Sequence, residues 1–542
     1  MAERAKSAAV VRTRRGTDDT AEAREIDRSG IVTSAIRDTL TSNRSHTLRA
    51  LTKILPAELW CCAWELLPLR DRIAVTQTCK HFRRIALACA GLWTRVEVEI
   101  ARHPTQLAPT TYFAALKRAL QWFGAAPLDL RVIVSVSTSY EIELKKPFTE
   151  LATLCGPHLS RIKSLALDVA DIKAYSLLLE CLAEANQELK ALPTLRRFRI
   201  INRGLGWLVG TPTVRPIPWK MPALSELDMV FSSGLAMSEV LPLVPGGLTS
   251  LSCGIHSADD LIAVLERSAS LTYLRLAMRS LSGSGDFAHE SARVLNAGKH
   301  LRDTANLQQV VIEWLQDHQE TVVLALLDRL RKCRNILLEY NPATRDVGGF
   351  KLFAHANADM HLSCLSPNGG ISVAVERGDR LVSREILFPL MTGSMFVSRV
   401  WQHIDPAKVT ELTIDNRLWH RLFEHFASSG SSSSDADAEV VLPNLRVVNL
   451  RVQLESSAFV QETVGVCREE PRLFSPALRV VCLMVKMPTT VVVRLDSVAR
   501  LLRLQLGLTR DRPLQMLRCE GFVVVGMIED LYILTDVVKD GQ

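Results

Sequence analysis

Few residues in this sequence are of a type that does chemistry, and their spacing argues against most of the chemistry they suggest. Cysteine and histidine fall close together at a few points, among them Cys79 with His81, Cys253 with His256, and His361 with Cys364. A structural zinc site takes four such ligands, and none of these pairs is matched by a second at finger spacing. Each pair reads as packed or surface residues. His420 and His425 lie near helical spacing but lack the glutamate of a metalloprotease helix. Gly204-Leu205-Gly206, followed by Gly210, has neither the Lys-Ser/Thr of a phosphate loop nor the spacing of a dinucleotide fingerprint, so it reads as a turn. Cys61-Cys62 falls inside an apolar helical stretch and reads as core. No nucleophile–base arrangement is legible. The expectation is a protein that is not an enzyme, with no catalytic residue, no cofactor and no metal.

The bulk properties narrow the partners. The chain has 542 residues, 47% hydrophobic and 23% charged, which is globular composition at a length for three or four domains or one repeat array. The net charge is +7, with +3 in residues 1–50 and +4 in residues 51–95, so the rest is neutral. A nucleic-acid-binding domain more often carries a dense basic face, so nucleic acid is an unlikely partner on this count. The longest apolar runs, such as residues 322–327 and 522–528, fall far short of the roughly 18–20 residues of a membrane helix. No secretory signal is legible at the start. The 12 cysteines are scattered, as in a reducing compartment. A soluble intracellular chain without a membrane partner is expected, cytoplasmic and/or nuclear.

The elements that must position any site show two styles. Residues 1–50 are polar and weakly periodic and read as a flexible tail. From residue 98 a unit recurs in which an apolar residue, two variable residues, an apolar residue, one variable residue and a last apolar residue follow in order. It appears as Ile162/Leu165/Leu167, Leu195/Phe198/Ile200, Leu224/Leu227/Met229, Leu248/Leu251/Cys253, Leu271/Leu274/Leu276, Leu307/Val310/Ile312 and Cys333/Ile336/Leu338. It returns as Val409/Leu412/Ile414, Leu445/Val448/Leu450, Leu478/Val481/Leu483 and Leu514/Leu517/Cys519. The last two apolar positions alternate as in a half-buried strand. Residues 175–189, 259–271 and 319–330 between units have helical spacing. A strand and a helix every 30 residues or so is a leucine-rich-repeat-like unit that buries its core only against its neighbours. An ordinary α/β domain with parallel strands is the alternative. The asparagine that usually follows the last apolar position is absent from nearly every unit, residues 341–405 hold no clean unit, and residues 428–439 read as a serine-rich loop.

Residues 55–93 read as three short helices. The first, opened by Pro56 and closed by Pro68, has two apolar stripes, Leu59/Ala63/Leu66 and Trp60/Trp64/Leu67. A helix apolar on two sides must be covered on two sides, either by a partner or by the rest of the chain. The tryptophan stripe suits a protein–protein anchor. The third helix sets Phe82, Ile85, Ala86 and Cys89 on one side and Lys80, His81, Arg83 and Arg84 on the other.

This stretch resembles an F-box. The family pattern is matched by Leu55, Pro56, Glu58 and Leu59, then by Trp64, Leu67-Pro68, Arg70-Asp71, Cys79, Phe82, Arg83 and Leu92-Trp93. Ala63 stands where the family has a larger aliphatic, and Thr78 where valine is frequent. The resemblance implies an α/β chain with three parts: a tail over residues 1–50, an F-box over 51–97, and a leucine-rich-repeat-like α/β solenoid over 98–542. It implies a substrate-recognition adaptor of an SCF-type ubiquitin ligase, bound to a Skp1-like linker and through it to a cullin, with a protein substrate on the repeats. A scaffold that binds a Skp1-like partner outside a ligase is the alternative. Leu55, Pro56, Leu59, Trp60, Trp64 and Leu67 are expected to face the linker, and Leu66, Cys79, Phe82, Ile85 and Trp93 to form the F-box core. Strand alternation gives a candidate substrate face of Arg197, Arg199, Tyr273, Arg275, Glu313, Glu339, Glu411 and Asp415, flanked by Glu226, Asp228, Arg451 and Arg518. Its basic ends bracket an acidic middle suited to a partner with a basic segment.

Overall fold

The structure, a computed structural model, describes residues 56–100, 109–122, 126–135, 141–169, 172–186, 188–202, 217–229, 237–244, 246–278, 291–303, 306–330, 332–341, 349, 352–353, 359–365, 371–377, 382–388, 403–415, 418–419, 440–452, 473–485, 491–494, 498, 502, 506, 508, 514–520 and 522–525. The tail over 1–50, Leu55, the glycine turn at 204–210, His420, His425 and the loop at 428–439 lie outside the described residues. The chain divides into two compact units, Met1–Leu195 with Asn202–Gly206, and Arg196–Ile201 with Trp207–Gln542.

The first unit opens with α1 (Ala57–Glu65), α2 (Leu69–Thr78), α3 (Lys80–Ala88) and the single turn α4 (Gly91–Thr94). Pro56 and Pro68 hold extended backbone immediately before α1 and α2, which is why these helices start where they do. The chain then passes directly into β1 (Arg95–Ile100), followed by α5 (Pro109–Trp122), β2 (Leu128–Val134), α6 (Glu141–Cys155), β3 (Ile162–Val169) and α7 (Ile172–Glu184). β1, β2 and β3 pair in parallel in that order. Every second residue of β1 and β2 is buried, so one sheet face lies on the core and the other carries Glu97, Glu99 and Arg131 outward.

The second unit is a large parallel sheet with helices in its first half. β4 (Arg197–Asn202), β5 (Glu226–Met229), β6 (Ser250–Ile255), β7 (Tyr273–Met278), β8 (Gln309–Leu315) and β9 (Asn335–Tyr340) pair in sequence order. α8 (Met237–Val240), α9 (Ala258–Arg267), α10 (Ser291–Ala297) and α11 (Asp317–Arg329) lie between β5 and β9 along the chain and pack one on the next. The register explains the repeat. Phe198, Leu227, Leu251, Leu274, Val310 and Ile336 stand opposite one another on successive strands, all buried.

The irregular interval over 341–405 contains an antiparallel meander, β10 (Met360–Leu365), β11 (Ile371–Arg377) and β12 (Ser383–Phe388), set into the sheet in reversed order. β12 runs parallel beside β9, and β10 runs parallel beside β13 (Val409–Asp415). Next along the chain come β14 (Val440–Val441), β15 (Val447–Val452), β16 (Leu473–Phe474), β17 (Val480–Val485), β18 (Val491–Arg494), β19 (Met516–Glu520) and β20 (Phe522–Val525). β15, β17 and β19 extend the main sheet from β13, while β14 pairs with β16 and β18 with β20.

Candidate functional site

The helical module places its side chains differently from the expectation. The tryptophan stripe of α1 turns inward. Trp64 is 2% exposed, with its ring 5.7 Å from Trp60 and edge-on to Phe82 at 5.1 Å. Leu67 is buried too. Trp64 and Leu67 are therefore core residues, not linker-facing ones, because in so small a module a large ring loses its water by packing into the aromatic cluster with Phe82. The other stripe turns outward. Leu59 is 53% and Leu66 is 51% exposed, with Cys62 exposed between them, so Leu66 leaves the expected core. Ile85 and Trp93 are buried with Phe82.

Polar contacts lock this arrangement. Cys79 caps α3 by accepting the Phe82 N–H at 3.4 Å. Arg83 Nε donates to Thr76 O at 2.8 Å and closes the end of α2. Trp93 Nε1 donates to Ala86 O at 2.7 Å. Arg72 is buried within the module, where its Nε donates to Leu67 O at 2.8 Å and its Nη1 to Leu92 O. Burial, with Arg95 nearby, pushes the Arg72 guanidinium down to about 10. Burial and contact with Cys89 push the Cys61 thiol up to about 12. The net result is a three-helix scaffold with an outward aliphatic strip.

In the second unit the candidate substrate face is largely charge-paired. Arg197 meets Glu226 at 2.9 Å and Arg199 meets Asp228 at 3.0 Å across β4 and β5. Arg275 meets Glu313 at 2.7 Å, an attraction that outweighs the burial of Arg275 and raises its pKa. Burial also raises the Tyr273 phenol, which is hydrogen-bonded to Ser252. Arg518 pairs with Glu520 at 2.6 Å. Asp415 is 1% exposed and does not line a solvent face as expected, since it lies at the end of β13 where the strand is buried on both sides. Glu411 accepts from Asn449 Nδ2 at 2.7 Å. His361 lies between Glu376 and Glu411, at 3.7 Å from each, with its Nε2 2.7 Å from Thr413 Oγ1. The face is thus not a row of open charges with an acidic middle running from Glu313 to Asp415. On the meander and β13, Glu376, Glu385 and Glu411 instead meet the polar side chains of His361, Ser372 and Asn449.

No group of three or more potential ligands able to hold a metal occurs among the described residues. No described helix is long and apolar enough to cross a membrane. No family model matches the chain, and no curated protein matches it. Among solved structures, the crystal structure of the Rad7 and Elc1 complex in yeast is similar at a TM-score of 0.29 and 12% identity, covering 95% of this chain and 96% of that one.

Sequence reasoning missed two buried arginines and a ladder. Arg384 occupies a core position opposite Ile336 and donates to Arg334 O at 3.1 Å, Ser383 O at 2.8 Å and Cys333 O at 3.0 Å, which ties the meander to the entry of β9. Neither Arg72 nor Arg384 differs in pattern from a surface arginine, so the sequence carried no signal for them. The ladder did have one. Ser225, Thr249 and Thr272 each follow the first apolar residue of a unit, and each hydroxyl donates one turn back, to Arg196 O at 3.1 Å, Ser225 O at 3.0 Å and Thr249 O at 3.0 Å. These hydroxyls are the ladder this chain has without the usual asparagine.

Proposed function

We propose that this chain is a substrate-recognition adaptor of an SCF-type ubiquitin ligase. Its N-terminal helical module binds a Skp1-like linker, and the face of its second unit holds a protein substrate. The observation that carries the reading is the outward strip Leu59–Cys62–Leu66 on α1, in a module whose other aromatic stripe is already used by its own core. Exposed aliphatics on a rigid helix gain only by burial against another surface. The F-box-like order of Leu55, Pro56, Glu58, Leu59, Trp64, Cys79, Phe82 and Trp93 supports the linker as that surface. A large, mostly parallel sheet whose first strands carry Arg197–Glu226 and Arg199–Asp228 on their outward side supports the receptor role of the second unit. The revised linker contact is Pro56, Leu59, Cys62 and Leu66, with Trp60 at its margin. The test is a titration of the whole chain with a purified Skp1-like subunit. A one-to-one complex is expected, and no complex at micromolar concentrations refutes the linker assignment.

A further inference from the structure

The outward face of the second unit changes character at β8. In its middle register row the residues of β4 to β7 are polar, Arg199, Asp228, Ser252 and Arg275, whereas β8 and β9 place Val311 and Leu337 there. β8 also carries a bulge. Ile312 pairs with Leu338 and Leu315 with Tyr340, so Glu313 and Trp314 together oppose the single residue Glu339. The extra residue takes Trp314 out of the core alternation and leaves it half-buried, with a φ of 62°. Val311 is itself buried at 5% exposure, whereas Trp314 and Leu337 are half-buried and keep part of their apolar surface on the outward face.

Beyond them acidic residues predominate. The outward positions of β9, the meander and β13 include Glu339, Glu385, Glu376 and Glu411, with half-buried Arg377 at the end of β11. Glu385 accepts from Ser372 Oγ at 2.8 Å, and Glu376 and Glu411 flank His361. This local acidity sits in a chain of net charge +7, so a cation is drawn to this face and not to the protein at large. Four strand steps of about 4.8 Å separate β9 from β13, which an extended segment crosses in about six residues.

We infer that this face takes an extended polypeptide segment with an aliphatic or aromatic anchor over Trp314 and Leu337, followed within about six residues by lysines or arginines that pair with Glu385, Glu376 and Glu411. This names the substrate class for the receptor reading above and rests on it. It also moves the recognition point from the strands before β8 to the junction of the parallel array with the meander.

The experiment uses the whole chain and a fluorescein-labelled peptide, Gly-Ser-Leu-Leu-Gly-Lys-Gly-Lys-Gly-Arg-Gly-Ser, with fluorescence anisotropy as readout. Two control peptides replace the three basic residues by glutamate or the two leucines by serine. Binding of the basic peptide is expected, with affinity reduced at least about tenfold in either control and falling as salt rises. The triple variant E376Q/E385Q/E411Q should bind at least about tenfold more weakly. Trp314→Gly should do the same, with a melt of each variant run alongside to confirm folding, since glycine takes the positive φ without strain but gives up the contacts of the ring. No binding, equal binding of the glutamate peptide, or wild-type affinity in both variants overturns the inference. Linker titration on the same samples separates the two claims, since neither variant touches the helical module. A chain that binds peptide but no linker refutes the adaptor reading alone.

Discussion

Replacing Leu59 and Leu66 together by alanine separates surface from core in the helical module. Full burial of a leucine side chain contributes about 1.5–3 kcal/mol. Leu59 and Leu66 are 53% and 51% exposed, so about half of that remains for each to gain against a partner. The pair then contributes about 1.5–3 kcal/mol to linker binding, and L59A/L66A should weaken it about 10- to 150-fold. Stability should move by less than about 1 kcal/mol in total, since surface changes away from special features stay within about 0.5 each. Trp64→Ala should behave in the opposite way. Removing a ring that is 2% exposed and packed on Trp60 and Phe82 costs about 3–5 kcal/mol of stability, and linker binding then falls because the module melts. The assay is calorimetric titration with the Skp1-like subunit, paired with a thermal melt of each variant. Wild-type affinity in L59A/L66A, or a melt lowered as far as in Trp64→Ala, would refute the placement of this strip on the surface.

Other consequences follow from the buried polar groups. Arg72→Ala strands the carbonyls of Leu67 and Leu92 and should destabilise the module by about 2–4 kcal/mol, read as an earlier first transition in a tryptophan-fluorescence melt. Arg384→Ala removes donors to Cys333, Arg334 and Ser383, so limited proteolysis should cut at the meander before the rest of the second unit; an unchanged digestion pattern contradicts its tying role. Burial holds the thiols of Cys155, Cys253 and Cys364 above their ordinary range, Cys155 at about 12. They therefore stay protonated at pH 8, and a thiol reagent at that pH should label exposed Cys62 first and these three only after denaturation, as peptide mapping would show.

The parts of this molecule that were legible in the sequence are those where one pattern has one physical cause. Alternating Leu165/Leu167 or Leu274/Leu276 can only be strand residues with one face in a core, and they are. The helix over Asp317–Arg329 follows from its apolar spacing. The two stripes of α1 were legible as two stripes, but not which of them faces inward. That choice depends on Phe82, 22 residues after Trp60 in the sequence, whose ring lies 4.9 Å from Trp60 and prefers aromatic neighbours to leucine. The meander escaped because its strands pair out of sequence order, and a pattern read along the chain does not encode register between distant strands. The charge pairs escaped for the same reason, since Arg275 and Glu313 lie 38 residues apart and meet only through the pairing of β7 with β8.

The central claim is an adaptor that joins a ligase to a substrate, and it is tested most directly by purifying the whole chain from native lysate and probing for both a Skp1-like linker and a cullin. The account predicts both, in one-to-one proportion to the chain, and predicts that L59A/L66A loses both together while the protein stays folded. Linker without cullin would leave a scaffold outside any ligase and contradict the ligase role. Recovery of neither would contradict the account at its foundation.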